Sequence, residues 1–199
     1  TPFWDEPVVV KPLGTGGANW PPSSYDPTTN LFYVCTGDGA AAYSTKEGGV
    51  EWVMPTPGGR YFGGEYTRSR VPRRGVLAAV DVRTNRLAWR QQWDEPCYAG
   101  STATGGGLIF IGRNDGRLSA LDKSNGAQLW EFQTDAGIHA AVSTFERNGQ
   151  QYVVALSAGS FFPNTTRGDS VWLFALDGAG VPSGGAGAEP SGSAAELTH

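Results

Sequence analysis

Ala79-Val-Asp-Val-Arg-Thr-Asn-Arg-Leu-Ala-Trp89 and Ala120-Leu-Asp-Lys-Ser-Asn-Gly-Ala-Gln-Leu-Trp130 share one grammar: an Ala, an Asp two residues on, a Thr or Ser with an Asn or Gly, and a closing Trp. The two alanines and the two tryptophans are each 41 residues apart. In both stretches a strand precedes the Asp and another carries the Trp, with a tight turn between them. Self-similarity at about 40–50 residues, built from strands, is the signature of β-propeller blades. A reduced third copy, Phe174-Ala-Leu-Asp177, keeps the strand and the Asp, but no Trp comes after it.

Each position of the repeat has a physical role. A small Ala lets one sheet approach the next. The Asp ends its strand and accepts hydrogen bonds from the turn backbone, and Asn85 or Gly126 tolerates positive φ. The Trp offers a large apolar face and one N–H that needs a partner. An ordinary hairpin with a core Trp explains one such copy. Two copies at a fixed spacing favour a repeated blade, with Trp89 and Trp130 buried between neighbours.

Working outward, the chain has 199 residues, enough for one domain with its own core, with 29 Gly and seven Trp. No apolar pattern of period 3.6 extends over ten positions, so the fold class is all-β. The net charge of −4 argues against nucleic acid as a partner. No apolar run is long enough for a membrane span, and no signal peptide is present. About three repeats leave open sheet edges and an open inter-blade face. The expectation is therefore a β-propeller portion of about three four-stranded antiparallel blades, belonging to a longer chain or completed by a second one.

The first blade begins at Ser23-Ser-Tyr25, turns at Asp26-Pro-Thr-Thr-Asn30 and continues through the apolar Leu31-Phe-Tyr-Val-Cys-Thr36. An insertion at 37–74 interrupts it, rich in Gly, with Tyr61, Phe62 and Tyr66 and the basic run Arg68, Arg70, Arg73 and Arg74. A loop of this length is a candidate lid or docking surface, or a solvated excursion. The second blade runs from Ser101 to Gln133, with Asn114-Asp-Gly116 as its hairpin signal. The third runs from His139 to Asp177, turns at Arg147-Asn-Gly149 and lacks a fourth strand. Residues 1–177 thus form the partial propeller. Residues 178–199 are Gly, Ala, Ser and Pro, read as a disordered tail or linker.

Gly16-Gly-Ala-Asn-Trp-Pro-Pro-Ser-Ser-Tyr-Asp-Pro27, Pro96-Cys-Tyr-Ala-Gly-Ser-Thr-Ala-Thr104, Gly137-Ile-His-Ala-Ala-Val-Ser-Thr-Phe145 and Gln151-Tyr-Val-Val-Ala-Leu-Ser-Ala-Gly159 carry a family resemblance. With the repeats, they look like the C-terminal part of quinoprotein alcohol dehydrogenases. That family uses pyrroloquinoline quinone (PQQ) and calcium on an eight-bladed propeller in the periplasm. The resemblance covers roughly residues 14–36 and 75–178. It implies oxidation of a small-molecule alcohol by hydride transfer to the quinone. A cytochrome accepts the electrons, and haem sits, where used, in a separate domain or partner.

By this resemblance Asn19 and Trp20 contact the cofactor. A neutral amide donor suits a quinone oxygen, where negative charge develops on reduction. Tyr98 stands where the family usually has a Trp beside the cofactor, which leaves its role less defined. Gly159 lies in a segment whose backbone approaches the cofactor, and Phe161 and Phe162 fall among the aromatics of the substrate cavity. The residues alone also allow a capping Asn, a core Trp and surface-loop aromatics. The family's general-base Asp, calcium ligands, stacking Trp and vicinal disulfide have no counterpart here, so no catalytic or metal residue is assigned. Asp38, Asp81, Asp115 and Asp122 read as turn residues, and His139 as a hydrogen-bonded inner-strand histidine. There is no Cys-x-x-Cys-His haem site.

The alternative class is a cofactor-free propeller of PQQ-like repeats, acting as a protein-binding scaffold. Such a scaffold needs neither Asn19-Trp20 nor Tyr98. Cys35 ends the second strand of one blade and Cys97 precedes the inner strand of the next, so both fall on one face. They are either a disulfide, which an oxidising compartment permits, or two packed thiols.

Overall fold

The turn after each repeated Asp is built from the residues that specify it. Asp81 Oδ1 accepts from the backbone N–H groups of Arg83 at 2.8 Å and Thr84 at 3.3 Å, and Asp122 Oδ1 accepts from that of Ser124 at 2.7 Å. Asn85 (φ 55°) and Gly126 (φ 76°) take the left-handed conformation. Their N–H groups return to the carbonyls of Asp81 and Asp122, each at 2.8 Å. Ala79 pairs with Trp89 and Ala120 with Trp130, and both pairs directly precede a shift of strand register.

The computed structural model describes residues 6–14, 16–45, 57, 65–68, 72–160 and 165–175, and its elements among these are all strands. A short strand β1 (Val8–Val10) precedes β2 (Ser24–Asp26) and β3 (Leu31–Asp38). A hairpin of β4 (Ala41–Ser44) and β5 (Glu65–Arg68) comes next, then β6 (Arg74–Asp81) and β7 (Arg86–Trp93). The first blade is the antiparallel sheet β2-β3-β6-β7. The interruption read at 37–74 contains strands: β3 runs on to Asp38, β6 starts at Arg74, and β4 and β5 form a second sheet with β1. The second blade comprises β8 (Ser101–Ala103), β9 (Leu108–Gly112), β10 (Arg117–Asp122) and β11 (Gln128–Gln133). The third is β12 (Ser143–Arg147), β13 (Gln150–Ser157) and β14 (Ser170–Ala175), three-stranded among the described residues. His139 precedes β12 rather than lying in it, because the chain from 137 to 142 crosses between blades before pairing starts.

Two apolar cores lie between the sheets. One joins Leu31, Tyr33, Leu77 and Trp89 of the first blade to Ile109, Ile111 and Leu121 of the second. The other joins Phe110, Leu118 and Ala120 of the second blade to Val142 and Ala155 of the third. Strand β9 therefore buries both faces, which explains its continuous Leu-Ile-Phe-Ile run where alternation would mark a half-solvated strand. Each such side chain contributes about 1.5–3 kcal/mol on burial.

Trp89, 9 % exposed, fulfils the inter-blade reading. Its indole N–H donates to the Lys123 carbonyl at 3.0 Å, and Tyr33 Oη–H donates to the same oxygen at 2.9 Å. Trp130 is half-buried rather than buried. It stacks on Phe132 and meets Phe174 of β14 edge-on at 5.3 Å. Asp177 and the residues after it, the counterpart of the turn that covers Trp89, lie outside the described residues, as does the 178–199 tail.

Buried ion pairs reinforce the first interface. Lys123 Nζ meets Asp26 Oδ2 at 2.9 Å in a buried site where Thr28 and Thr29 hydroxyls also donate to the carboxylate. Burial pushes the Asp26 carboxyl up, but the bonds from Thr29, Lys123 and Thr28 outweigh it and hold it well below the usual carboxylate range. Arg113 lies over the Trp93 ring at 5.1 Å, with Glu95 at 2.8 Å and Asp115 at 3.3 Å.

Candidate functional site

The segment from Leu13 to Pro22 crosses the ends of the first two blades and is pinned at both sides. Gly37 N–H donates to the Gly17 carbonyl at 2.7 Å, and Ser101 N–H donates to the Pro22 carbonyl at 3.0 Å. Asn19 and Trp20 project from between these anchors. Asn19 Oδ1 accepts from the Trp20 backbone N–H at 2.8 Å, which orients the carboxamide. Trp20 is 75 % exposed, and its indole N–H donates to Tyr98 Oη at 2.6 Å, the two rings meeting edge-on at 5.8 Å. Two residues 78 positions apart are thus brought together at the junction of two blades.

Tyr98 is held from the other side by His139. Its carbonyl accepts from His139 Nδ1 at 2.9 Å, and Thr165 Oγ1 lies 2.8 Å from Nε2. A carbonyl only accepts, so Nδ1 carries the proton; in the neutral ring Nε2 accepts from the Thr165 hydroxyl. Thr165 Oγ1 in turn accepts from Ser160 N–H at 2.9 Å. Burial pushes the His139 pKa down, against the smaller opposing effect of the Tyr98 carbonyl bond. His139 is therefore a hydrogen-bonded histidine, as the sequence suggests, but it links three loops and does not stand in a strand.

Gly159 sits at the far end of this chain of contacts. It has φ 65°, and a Cβ there would lie 2.0 Å from the Thr166 carbonyl oxygen. The position is Gly because the backbone of residues 166 and 167 passes against it. Phe161 and Phe162, assigned to the substrate cavity, lie outside the described residues.

Cys35 and Cys97 are joined as a disulfide, with Cα atoms 5.5 Å apart. The Ala99 N–H points to Cys35 Sγ at 3.3 Å. The bridge ties β3 to the start of the second blade, directly beside Tyr98. An open concavity lies here, lined by Asn19, Gly37, Cys35, Cys97, Tyr98 and Arg73 among others.

The aspartates divide differently from the sequence reading. Asp81, Asp115 and Asp122 serve turns. Asp38 does not: it ends β3 and pairs with Lys11, whose hydrogen bond holds its carboxyl below the ordinary value. Among the described residues no three His, Cys, Asp or Glu side chains gather as a metal site. The sequence did not reveal Lys123–Asp26, the Arg113 pairs or the His139–Thr165 link, because each depends on which loops the blades bring together.

Antiparallel sheets of this repeat, packed through shared apolar cores and an inter-blade tryptophan, are blades of the β-propeller kind. Residues 65–153 match the PQQ family model described as glucose/ethanol/alcohol dehydrogenase, beta-propeller domain. Quinoprotein alcohol dehydrogenase PedE of Pseudomonas putida is 34 % identical over 185 residues, covering 86 % of this chain and 28 % of that one. The 1-butanol dehydrogenase (quinone) of Thauera butanivorans is 35 % identical over 185 residues, 86 % of this chain and 29 % of that one. The crystal structure of quinohemoprotein alcohol dehydrogenase from Comamonas testosteroni superposes with a TM-score of 0.76 at 26 % identity, covering 88 % of this chain and 28 % of that one. The chain is homologous to the quinoprotein alcohol dehydrogenases, and the match to their PQQ β-propeller model takes in the second blade and parts of its neighbours. It spans under a third of the length of these relatives.

Proposed function

We propose that these blades form one side of the cofactor pocket of a PQQ-dependent alcohol dehydrogenase. The observation that carries this reading is the meeting of Asn19, Trp20 and Tyr98 beside the concavity lined by the Cys35–Cys97 bridge. The donor set fits the group. An oriented carboxamide, a phenol and a buried guanidinium N–H without a hydrogen-bond partner suit a planar quinone bearing carboxylates. PQQ would supply the hydride acceptor for alcohol oxidation, with a cytochrome as the electron acceptor. Asn19 would hold a quinone oxygen, with Tyr98 and its partner Trp20 beside it; the resemblance assigns Phe161 and Phe162 to the substrate side.

The base and the metal ligands, calcium ligands by the resemblance, belong to parts of the enzyme outside this chain. The exposed apolar face of the third blade, with Val171 and Leu173, supports packing against a further part of the propeller. The periplasm is the proposed compartment, in keeping with the disulfide.

The test is alcohol-dependent dye reduction by the complete enzyme, with PQQ and calcium added or withheld. Cofactor-dependent turnover supports the reading. A complete protein that neither binds PQQ nor oxidises alcohols supports the cofactor-free scaffold instead. Residues 1–199 alone are expected to be inactive, and turnover by the isolated chain contradicts the assignment of base and metal elsewhere.

A further inference from the structure

Of the two arginines that line the concavity, Arg73 and Arg74, only Arg73 is outside every ion pair among the described residues. Its Nε is buried and has no hydrogen-bond partner, and no ion pair among the described residues includes it. Arg113 also leaves Nε unpaired, but its terminal nitrogens meet three carboxylates, those of Glu95, Asp115 and Glu131. Arg74, next in the chain, is 3.9 Å from Asp94, and Lys11 is taken by Asp38.

The Arg73 stem is also wedged. A Cβ at Gly39 would stand 3.2 Å from Arg73 Cγ and 2.4 Å from Leu13 Cδ2, so the absence of a side chain at Gly39 makes the room the stem occupies. The formal charges lining the concavity are Asp38, Arg73 and Arg74, an excess of one positive. Asp38 is already neutralised by Lys11. A fixed guanidinium whose buried N–H lacks an acceptor, in a concavity with excess positive charge, calls for an anion. Carboxylate matches its planar fork.

We propose that Arg73 is the carboxylate-binding cation of this concavity, and that the group it holds is a carboxylate of the quinone cofactor. PQQ carries three carboxylates besides its two quinone oxygens, so Arg73 anchors the acid end while Asn19 and Tyr98 address the ring system. The inference rests on the concavity being the cofactor pocket.

The experiment is titration of the metal-loaded apo form of the complete enzyme with PQQ, monitored by quenching of tryptophan fluorescence. Arg73→Ala is expected to weaken binding at least tenfold, with Arg73→Lys recovering part of the loss. The loss should shrink as salt is raised. PQQ trimethyl ester, which lacks the charges, should bind the parent and Arg73→Ala alike. Arg73→Gln keeps the stem over Gly39, so it reports on charge if the Ala variant does not fold. Unchanged PQQ affinity in Arg73→Gln, with or without a lowered melting temperature, overturns the inference and leaves the cofactor-pocket reading standing. A parent enzyme that binds no PQQ overturns both.

Discussion

The indole N–H of Trp89 in one blade reaches the carbonyl of Lys123 in the next at 3.0 Å, and that turn closes through Gly126, directly over the indole ring. The repeat thus encodes a contact as well as a strand pattern. Trp89 is recognised by the turn that Asp122 organises in the next blade. Trp89→Ala should cost about 3–5 kcal/mol, as for other large buried aromatics. Trp89→Phe keeps most of the apolar area, and Tyr33 still donates to the same carbonyl. The loss there should be nearer 1 kcal/mol. Half-buried Trp130 should lose less than Trp89 on truncation to Ala. Urea midpoints of the variants give the order, and a larger loss for Trp130 would contradict it.

Gly126 tests the same contact from the other side. Its φ is 76°, and a Cβ would stand 2.5 Å from the Trp89 ring. Gly126→Ala therefore combines a left-handed backbone, costing about 1–2 kcal/mol for an L residue, with a clash against an immobile aromatic. In a double-mutant cycle with Trp89→Ala the clash should disappear and the backbone cost remain. Strict additivity would show that the two positions do not press on each other.

The fold was legible in the sequence where one residue type dictates one local geometry. Asp81 and Asp122 capping their turns, Asn85 and Gly126 at positive φ, and Ala79 and Ala120 opposite their tryptophans all stem from short-range sterics and hydrogen bonding. The ordered hairpin inside 37–74 was not legible, because its Gly-rich sequence carries no alternation and its third strand, β1, lies more than 30 residues away. Of the candidate site, the resemblance singled out Asn19, Trp20 and Tyr98, and the structure brings them together. The His139 tether and the Arg73 environment emerge only when three loops meet at the blade ends.

The acid limb of stability should track Asp26. Its carboxyl is held well below the usual range in the folded protein, whereas in the unfolded chain it titrates near 4. A depressed carboxyl contributes stability that is present above the unfolded value and is lost as pH falls towards the folded one. The melting temperature should therefore decline below about pH 4. Glu95, Asp122 and Asp135, whose carboxyls are also held low, add to the same slope. Asp26→Asn leaves Lys123 buried without its carboxylate, so it should lower stability at neutral pH by about 3–5 kcal/mol and flatten the acid limb. An acid limb as steep as the parent's would remove Asp26 from this role.

The Cys35–Cys97 bridge spans 62 residues of sequence, including the whole of the segment between β3 and β6. In the chain-entropy model such a closure is worth roughly 4 kcal/mol, and measured bridges of this kind typically contribute about 2–4. Reduction should lower the urea midpoint accordingly. It should also loosen the start of the second blade, where Ala99 N–H contacts Cys35 Sγ. Thiol titration of the denatured, unreduced protein should find no free thiol, and two after reduction. Two free thiols without reductant would mean that the bridge is not formed in solution.

If the concavity is the proposed cofactor pocket, variants at Asn19 and Tyr98 should separate cofactor binding from folding. Asn19 is exposed and pinned by its own bond to the Trp20 backbone, so Asn19→Ala should leave the melting temperature nearly unchanged. In the complete enzyme, the lost amide donor should lower kcat by about tenfold to a hundredfold, or let PQQ wash out during gel filtration. The reason is that a donor placed where negative charge develops acts more strongly on the reacting state than on the resting one. Tyr98→Phe keeps the ring and the His139 contact, which uses the backbone carbonyl, and removes only the hydroxyl that receives the Trp20 indole N–H. Its effect should fall on PQQ affinity more than on kcat, since Trp20 loses its anchor while Asn19 stays in place. Cofactor content from the quinone absorbance and initial rates from dye reduction decide between these outcomes. An Asn19→Ala enzyme with full cofactor content and the parent rate would take Asn19 out of the site.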